Sequence, residues 1–235
     1  MLEKLYKAIK KDATPVELKI AGRTYVDKNI FPVANPTPEP ILTSTLTGLV
    51  DYVSKQIDGV DRKQLFIQVR SPSIVRLVSE ILPDFWNRAE YLEARYNFGL
   101  MNFDSWYDSE TFMINLLAQF ADKGDKAKFL AFLAKVTDTA ESVYDDSGIS
   151  QGVTTRRSIA SKSAELLPNP VMLAPFRTFP EIEQPESPFI LRVQKDHDGL
   201  SYLLSEADGG AWRNTAIQSI KKYLQEKLPD MAIIA

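Results

Sequence analysis

Proline is concentrated in two stretches of this 235-residue chain, and these stretches constrain its fold most strongly. Four prolines lie between residues 32 and 40, and six lie between Pro168 and Pro188. Proline has a fixed φ and no backbone N–H, so this density excludes helix and central strand. We therefore predict a stiff, extended connector at 31–40 and a rigid, irregular, partly buried crossing at 168–188.

The segments before and between the proline stretches carry helix and strand patterns. An amphipathic helix is predicted at 1–11 and a short hairpin at 16–26. Another helix, capped by Ser44 or Thr45, is predicted to run to Ile57 and to stop at Asp58-Gly59. The strongest strand signal follows and predicts an antiparallel meander over 65–70, 74–80 and 88–95.

The second half of the chain repeats this mixture. A helix capped by Asp108 or Ser109 and a second helix after 122–125 predict a central α-hairpin. The Ser- and Thr-rich run 149–159 predicts an edge strand or an exposed hairpin arm. The C-terminal part predicts, in order, a hairpin over 189–205, a helix from Trp212 to Leu228 and a strand at 231–234.

These patterns together predict the α+β class. The antiparallel sheets would comprise a meander and a C-terminal hairpin, with segregated helices that include the central α-hairpin and a C-terminal helix. Strands and helices do not alternate regularly, which argues against a doubly wound parallel sheet. We assign residues 1–40 to a helix, a hairpin and a proline-rich arm, and residues 41–235 to a single α+β domain.

Composition limits the chemistry. The chain has no cysteine and one histidine, which excludes disulfides, cysteine nucleophiles, iron–sulfur sites and His- or Cys-based zinc sites. The formal net charge of −3 gives no strongly basic nucleic-acid footprint. No stretch approaches the ~20 apolar residues of a membrane span. We therefore expect no membrane association and a reducing, cytoplasmic location.

Local motifs that resemble catalytic or binding sites have simpler structural interpretations. His197 lies between two aspartates at a predicted hairpin tip, where a solvated turn is favoured over a proton shuttle or metal ligand. Asp208 before Gly209-Gly210 fits a helix cap better than a phosphate site. Ser219 and Lys222 match Ser-x-x-Lys but fall toward solvent on the last helix. The acidic clusters lack the spacing of a calcium loop; they are Asp145-Asp146, Glu181/Glu183/Glu186 and Asp104/Asp108. We expect no cofactor, no metal and no catalytic residues.

Three arginines form the candidate anion- or partner-binding site. Arg156 and Arg157 lie in the Thr/Ser-rich strand, and Arg177 lies in the second proline stretch. Guanidinium groups that converge would bind a phosphate, a nucleotide or an acidic partner. An aromatic cluster near Arg95 comprises Phe98, Phe103, Trp106 and Tyr107. These rings could form a stacking platform for nucleic-acid bases, but a role in the hydrophobic core is favoured.

Longer sequence motifs carry a resemblance to a known family. They are Leu46-Thr-Gly-Leu-Val-Asp-Tyr52, Val69-Arg-Ser-Pro72, Phe103-Asp-Ser-Trp-Tyr-Asp-Ser-Glu-Thr-Phe112, Pro168-Asn-Pro-Val-Met-Leu-Ala-Pro-Phe-Arg-Thr-Phe179, Glu183-Gln-Pro-Glu-Ser-Pro-Phe189 and Glu206-Ala-Asp-Gly-Gly-Ala-Trp212. With them the chain resembles an uncharacterised prophage-borne family typified by the enterobacterial protein YfdQ. It is more similar to relatives in phages of Gram-positive bacteria, over most of its length. The resemblance implies a phage or prophage protein of the bacterial cytoplasm. No catalytic residues can be assigned from this family.

The leading hypothesis is therefore a non-enzymatic phage accessory protein. It would bind a host or phage protein, in counter-defence or replication support, and would self-associate as a homo-oligomer. Extended arms at 31–40 and 150–160 are suited to clasping neighbouring subunits. A capsid-like virion protein and a nucleic-acid or small-nucleotide binder are the alternatives, and an enzyme comes last.

Overall fold

The computed structural model describes most of the chain. The described residues are 2–4, 15–20, 23–26, 38–82, 87–137, 142–146, 151–155, 168–196 and 199–235. They divide into two compact units, of which the first comprises Met1–Thr37 with Leu82–Asn87 and the second the remainder. The division of the sequence at residue 40 stays a prediction.

The described elements mix helices and strands. In chain order they are β1 (Glu17–Ile20), β2 (Arg23–Val26), β3 (Ile41–Thr43), α1 (Leu46–Lys55), a 3-10 turn (Arg62–Gln64), β4 (Leu65–Ser71), β5 (Ile74–Ser79), β6 (Glu90–Arg95), β7 (Tyr107–Asp108), α2 (Ser109–Gln119), α3 (Lys126–Thr137), β8 (Ser142–Asp146), β9 (Gln151–Thr155), β10 (Val171–Leu173), β11 (Ser187–Asp196), β12 (Gly199–Glu206), α4 (Ala211–Lys227) and β13 (Ala232–Ile234). The α+β class is confirmed.

The first unit contains the predicted N-terminal hairpin. Strands β1 and β2 pair antiparallel, with Glu17 opposite Val26 and Ile20 opposite Arg23. The second segment of the unit is closed by a backbone hydrogen bond from Leu82 N–H to Asn87 O, at 2.9 Å. The N-terminal helix prediction falls mostly on residues outside the described ranges, as does the proline-rich arm up to residue 37.

The second unit contains a five-stranded sheet, which we call the first sheet, in the order β13-β4-β5-β6-β3. The predicted meander is confirmed as β4, β5 and β6, which pair antiparallel. One sheet face packs against α1 and α4 in a core cluster that includes Leu49, Ile67, Leu77, Leu92 and Ile220. Strand alternation accounts for this face, because every second residue of β4 is buried.

The edges of the first sheet depart from the predicted antiparallel arrangement. Strand β3 pairs parallel with β6, and β13 pairs parallel with β4. Both edge strands are adjacent to a helix in the sequence, β3 before α1 and β13 after α4. Helix α1 carries the chain from β3 to β4, which runs in the same direction as β3 and β6, whereas α4 leads to β13 from β12, a strand of another sheet.

A second, four-stranded sheet in the order β10-β11-β12-β7 carries its own core. The predicted C-terminal hairpin is confirmed as β11 and β12, which pair from Phe189 opposite Glu206 to Asp196 opposite Gly199. The two predicted helices are α2 and α3, and they pack on the inner face of this sheet. Aromatic rings dominate that core, where Phe112 contacts Phe129 and stacks on Tyr202.

Local caps fix the ends of the helices. Thr45 accepts a hydrogen bond from Gly48 N–H at 3.1 Å and is the N-cap of α1, while Asp108 accepts from Thr111 N–H at 2.9 Å and begins α2. The buried Lys126 ammonium donates to Phe120 O at 2.6 Å and Leu117 O at 3.2 Å, where α2 ends. A lysine thus occupies carbonyl groups that have no helical partner.

Strands β8 and β9 form a separate two-stranded antiparallel sheet, from Ser142 opposite Thr155 to Asp146 opposite Gln151. Residues 151–155 therefore lie in a strand, as predicted for 149–159. The flanking residues 147–150 and 156–160 fall outside the described ranges.

Candidate functional site

Arg177 belongs to the proline-rich crossing, and its side chain lies in the interior against Trp212 of α4. Its guanidinium donates to Glu206 Oε1 at 2.7 Å and to Ser187 Oγ at 2.6 Å. The guanidinium carbon also lies 3.9 Å from the ring centroid of Trp212, which is cation–π geometry. The side chain is fully buried, so its cation is committed to groups of the same chain.

Electrostatics of the interior support this internal role. Burial lowers the pKa of Arg177 to about 10, although Glu206 and Asp208 act in the opposite direction. The group stays protonated at neutral pH, and an external anion would have to displace Glu206. Arg156 and Arg157 lie outside the described residues, so a site shared by the three arginines stays a prediction.

Gln184 holds the turn that positions Arg177. Its side-chain oxygen accepts from the N–H groups of Arg177 and Thr178, and its side-chain nitrogen donates to Thr178 O and Phe179 O. Thr178 Oγ1 in turn donates to Pro72 O at 2.6 Å. The buried side-chain amide of Gln184 therefore pairs with backbone N–H and C=O groups of a segment that forms no regular secondary structure.

The Asp208 carboxylate occupies backbone N–H groups at the start of α4. Asp208 accepts hydrogen bonds from Gly210 N–H and Trp212 N–H, both at 2.9 Å. These are the N–H groups that a phosphate would need. The N-cap of the helix is Gly210, with a φ of 85°, and not Asp208 as predicted; the Asp208 carboxylate reaches Trp212 N–H from two residues before the N-cap.

Several acidic residues singled out in the sequence make internal contacts. Glu181 accepts from Thr47 N–H at the start of α1, and Glu183 and Glu186 pair with Lys123. Among the described residues, no group of three or more histidine, aspartate or glutamate side chains is placed to hold a metal ion. His197 and the side chains of 145–146 are outside what the structure describes.

A charged cluster lies on the side of the first sheet opposite its core. Glu93 contacts Arg76 and Arg95, each at 2.6 Å. Burial opposes the ionisation of Glu93, but the hydrogen bonds from both arginines outweigh it and lower its pKa. Arg76 also pairs with Glu90 at 3.1 Å. The opposite charges are thus paired within the sheet face.

A shallow recess lies beside the end of α1. Tyr52 donates to Asp58 at 2.6 Å there, and Arg62 and Ile57 line the rest. Burial, followed by the hydrogen bond to Asp58, raises the pKa of Tyr52. The tyrosine thus stays protonated and serves as a hydrogen-bond donor.

Exposed apolar residues also lie on the outer face of the second sheet, which we define by Trp106, Met172, Ile190, Arg192 and Leu203. Trp106 is 43%, Ile190 41% and Met172 37% exposed, Arg192 is exposed, and Leu203 is half-buried. Their neighbours along the strands face the core, which follows from strand alternation. An exposed tryptophan beside an arginine has the composition of a binding hot spot.

Backbone pairing locates Trp106 on this face. Tyr107 pairs with Tyr202, and Asp104 N–H donates to Leu204 O at 2.8 Å. The segment between these contacts runs along β12, so Trp106 lies beside Leu203. Arg192 pairs with Leu203 from the other side. The order across the sheet is therefore tryptophan, leucine, arginine.

The four residues of the predicted aromatic cluster differ in their burial. Phe103 and Tyr107 pack against the second core, and Phe103 contacts Phe189 with ring centroids 5.1 Å apart. Phe98 contacts Tyr96. Of these four residues, only Trp106 is exposed. Sequence reasoning did not assign Ile190, Arg192 and Leu203 to a site, although alternation in β11 placed the first two opposite the core.

The fold and this open face define an α+β protein with a mixed five-stranded sheet and an antiparallel four-stranded sheet. Neither a protein-family model nor a curated protein nor a solved structure matches the chain. The resemblance to the YfdQ-typified family therefore stays a prediction. Over the described residues, no helix has the length and apolar character needed to cross a membrane.

Proposed function

We propose that this chain is a phage-encoded accessory protein of the bacterial cytoplasm that acts by binding a protein partner. The outer face of the second sheet is the binding surface. Its exposed Trp106, flanked by Leu203 and Arg192, is the observation that supports the proposal. The phage origin and the cytoplasmic location rest on the family resemblance.

The apolar content of this face favours a protein partner. Burial of apolar surface contributes about 25 cal/mol per Å². Tryptophan and arginine at the centre of a patch account for a large share of binding energy at protein interfaces. Arg192 lies within β11, and Trp106 directly precedes β7, where Tyr107 pairs with Tyr202, so backbone pairing holds both residues in place.

Native mass spectrometry of protein purified from phage-infected cells tests the proposal. Wild-type protein should appear in assemblies that contain a second protein component, either another copy or a different chain. Trp106→Ala should shift these assemblies to the monomer. The matched control is Ile114→Ala, because Ile114 is an exposed apolar residue on α2. Monomer throughout, or assemblies that Trp106→Ala leaves unchanged, would contradict the proposal. Closed shells seen by electron microscopy would favour a capsid-like protein instead.

A further inference from the structure

We propose that the outer face of the second sheet binds a second copy of this chain, about a two-fold axis parallel to β12 at Leu203. This inference rests on the proposed function, because it names the partner of the same face. The strand order of the sheet and the positions of Trp106 and of the charged residues on this face support a symmetric contact.

The strand order permits a symmetric contact. Strand β12 has β11 on one side and β7 on the other, each at a spacing of about 4.8 Å. A two-fold axis along β12 exchanges these sides when two sheets stack face to face. Strand β11 of one copy then lies over β7 of the other, with Leu203 facing the partner's Leu203.

The charges on the face are self-complementary under this operation. Arg192 lies at the level of Leu203 on β11, and Trp106 lies at the same level beyond β12. Asp104, two residues before Trp106, is exposed, whereas the Asp108 carboxylate serves as the N-cap of α2. The exchange therefore brings Arg192 over the partner's Trp106 and near the partner's Asp104. An isologous interface makes each such contact twice.

The same charges disfavour a polynucleotide. Of the described side chains on this face, Arg192 is the only cation, and the anionic Asp104 lies two residues before Trp106 in the sequence. Single-stranded nucleic acid requires a groove of several cations beside its stacking aromatics. A second copy instead places its Trp106 and Asp104 opposite Arg192.

The size of the face indicates a weak association. The four strands contain 3, 10, 8 and 2 residues, and at about 3.3 Å per residue and a strand spacing of about 4.8 Å they give a planar face of about 360 Å². This is less than the roughly 800 Å² per partner of a stable complex. Association should accordingly depend on protein concentration over an accessible range.

Sedimentation velocity over a concentration series tests the charge pairing. The average mass of the wild-type protein should rise toward that of a dimer, and Arg192→Glu should weaken association at least about tenfold because it places like charges together. Arg70→Glu is the matched control, because Arg70 is an exposed arginine on β4 of the first sheet. This control should associate like the wild type.

Cross-linking tests the axis itself and does not depend on the charge variant. The chain has no cysteine, so Leu203→Cys introduces a single thiol. A short bismaleimide should join two such thiols into a covalent dimer. Ile114→Cys, which places a thiol on the exposed side of α2 away from the second core, should not form one.

The outcomes separate this inference from the proposed function. Concentration-dependent dimers that Arg192→Glu weakens and Leu203→Cys traps would support both. A wild-type monomer that still binds another protein through Trp106 would overturn the second copy and leave the proposed function standing. A monomer without a protein partner would overturn both. Binding of a single-stranded oligonucleotide that Trp106→Ala abolishes, without self-association, would also overturn both.

Discussion

Replacing Arg177 with alanine would remove a buried cation from a site that is built around it. The side chain of Arg177 is 1% exposed, and that of its partner Glu206 is 25% exposed. Without the guanidinium, Glu206 loses its 2.7 Å ion pair and the buried Ser187 hydroxyl loses its donor. Breaking a buried pair from one side costs about 3–5 kcal/mol. In a protein of this length that corresponds to a fall in Tm of about 10 °C.

Urea unfolding measures this loss as a lower midpoint with an unchanged slope. Arg70→Ala is the control, since an exposed arginine should change the free energy of unfolding by no more than about 0.5 kcal/mol. Arg177→Met combined with Glu206→Gln should recover part of the loss, because no charge remains unpaired. A loss below about 1 kcal/mol for Arg177→Ala, or a double variant no more stable than the single one, would refute the reasoning.

Three further substitutions test the caps and the charged cluster. Thr45→Ala should lower the free energy of unfolding by about 1 kcal/mol because α1 loses its N-cap, and Ser44→Ala should leave it unchanged. Lys126→Met should cost about 1–3 kcal/mol because carbonyls at the end of α2 lose their donor, and the exposed Lys128→Met should cost less. The pKa of Glu93 lies below its ordinary value of 4.5. Its ion pairs therefore stabilise the fold above that pH and are lost as the pH falls through the lowered pKa. In Glu93→Gln the free energy of unfolding should fall less steeply as the pH is lowered. Equal pH dependence of the free energy of unfolding in the variant and the wild type would contradict this prediction.

Elements encoded by short-range pattern were predictable from the sequence. The apolar alternation of β4 and β5 and of the hairpin β11–β12 identifies strands directly. Asp108 and Thr45 are capping residues, and the structure selects Thr45 over Ser44. The predicted end of α1 was too late. The helix ends at Lys55, because Gln56 adopts the left-handed conformation with a φ of 49° before Gly59 is reached.

Long-range pairing was not predictable from these patterns. Strand β10 lies inside the second proline stretch, where Met172 pairs with Pro188. The three-residue strand is specified by its partner rather than by its own periodicity. The parallel edges β3 and β13 likewise depend on partners that are distant in sequence, β6 and β4.

The candidate site was only partly accessible to sequence reasoning for the same reason. The partner of Arg177 is Glu206, 29 residues away at the end of β12, so residue spacing gave no sign of the ion pair. Trp106 and Arg192 were visible as residue types. Their common position beside Leu203 appears only when β7, β12 and β11 are aligned.

The solvent accessibility of Trp106 is the most direct measure of whether the outer face of the second sheet is a contact surface. Fluorine NMR of 5-fluorotryptophan-labelled protein reports it, with the resonance assigned from Trp106→Phe. As protein concentration rises, the solvent-isotope shift of this resonance should fall, and it should stay constant in Arg192→Glu. A Trp106 resonance that remains fully solvent-accessible while the average mass increases would contradict the account.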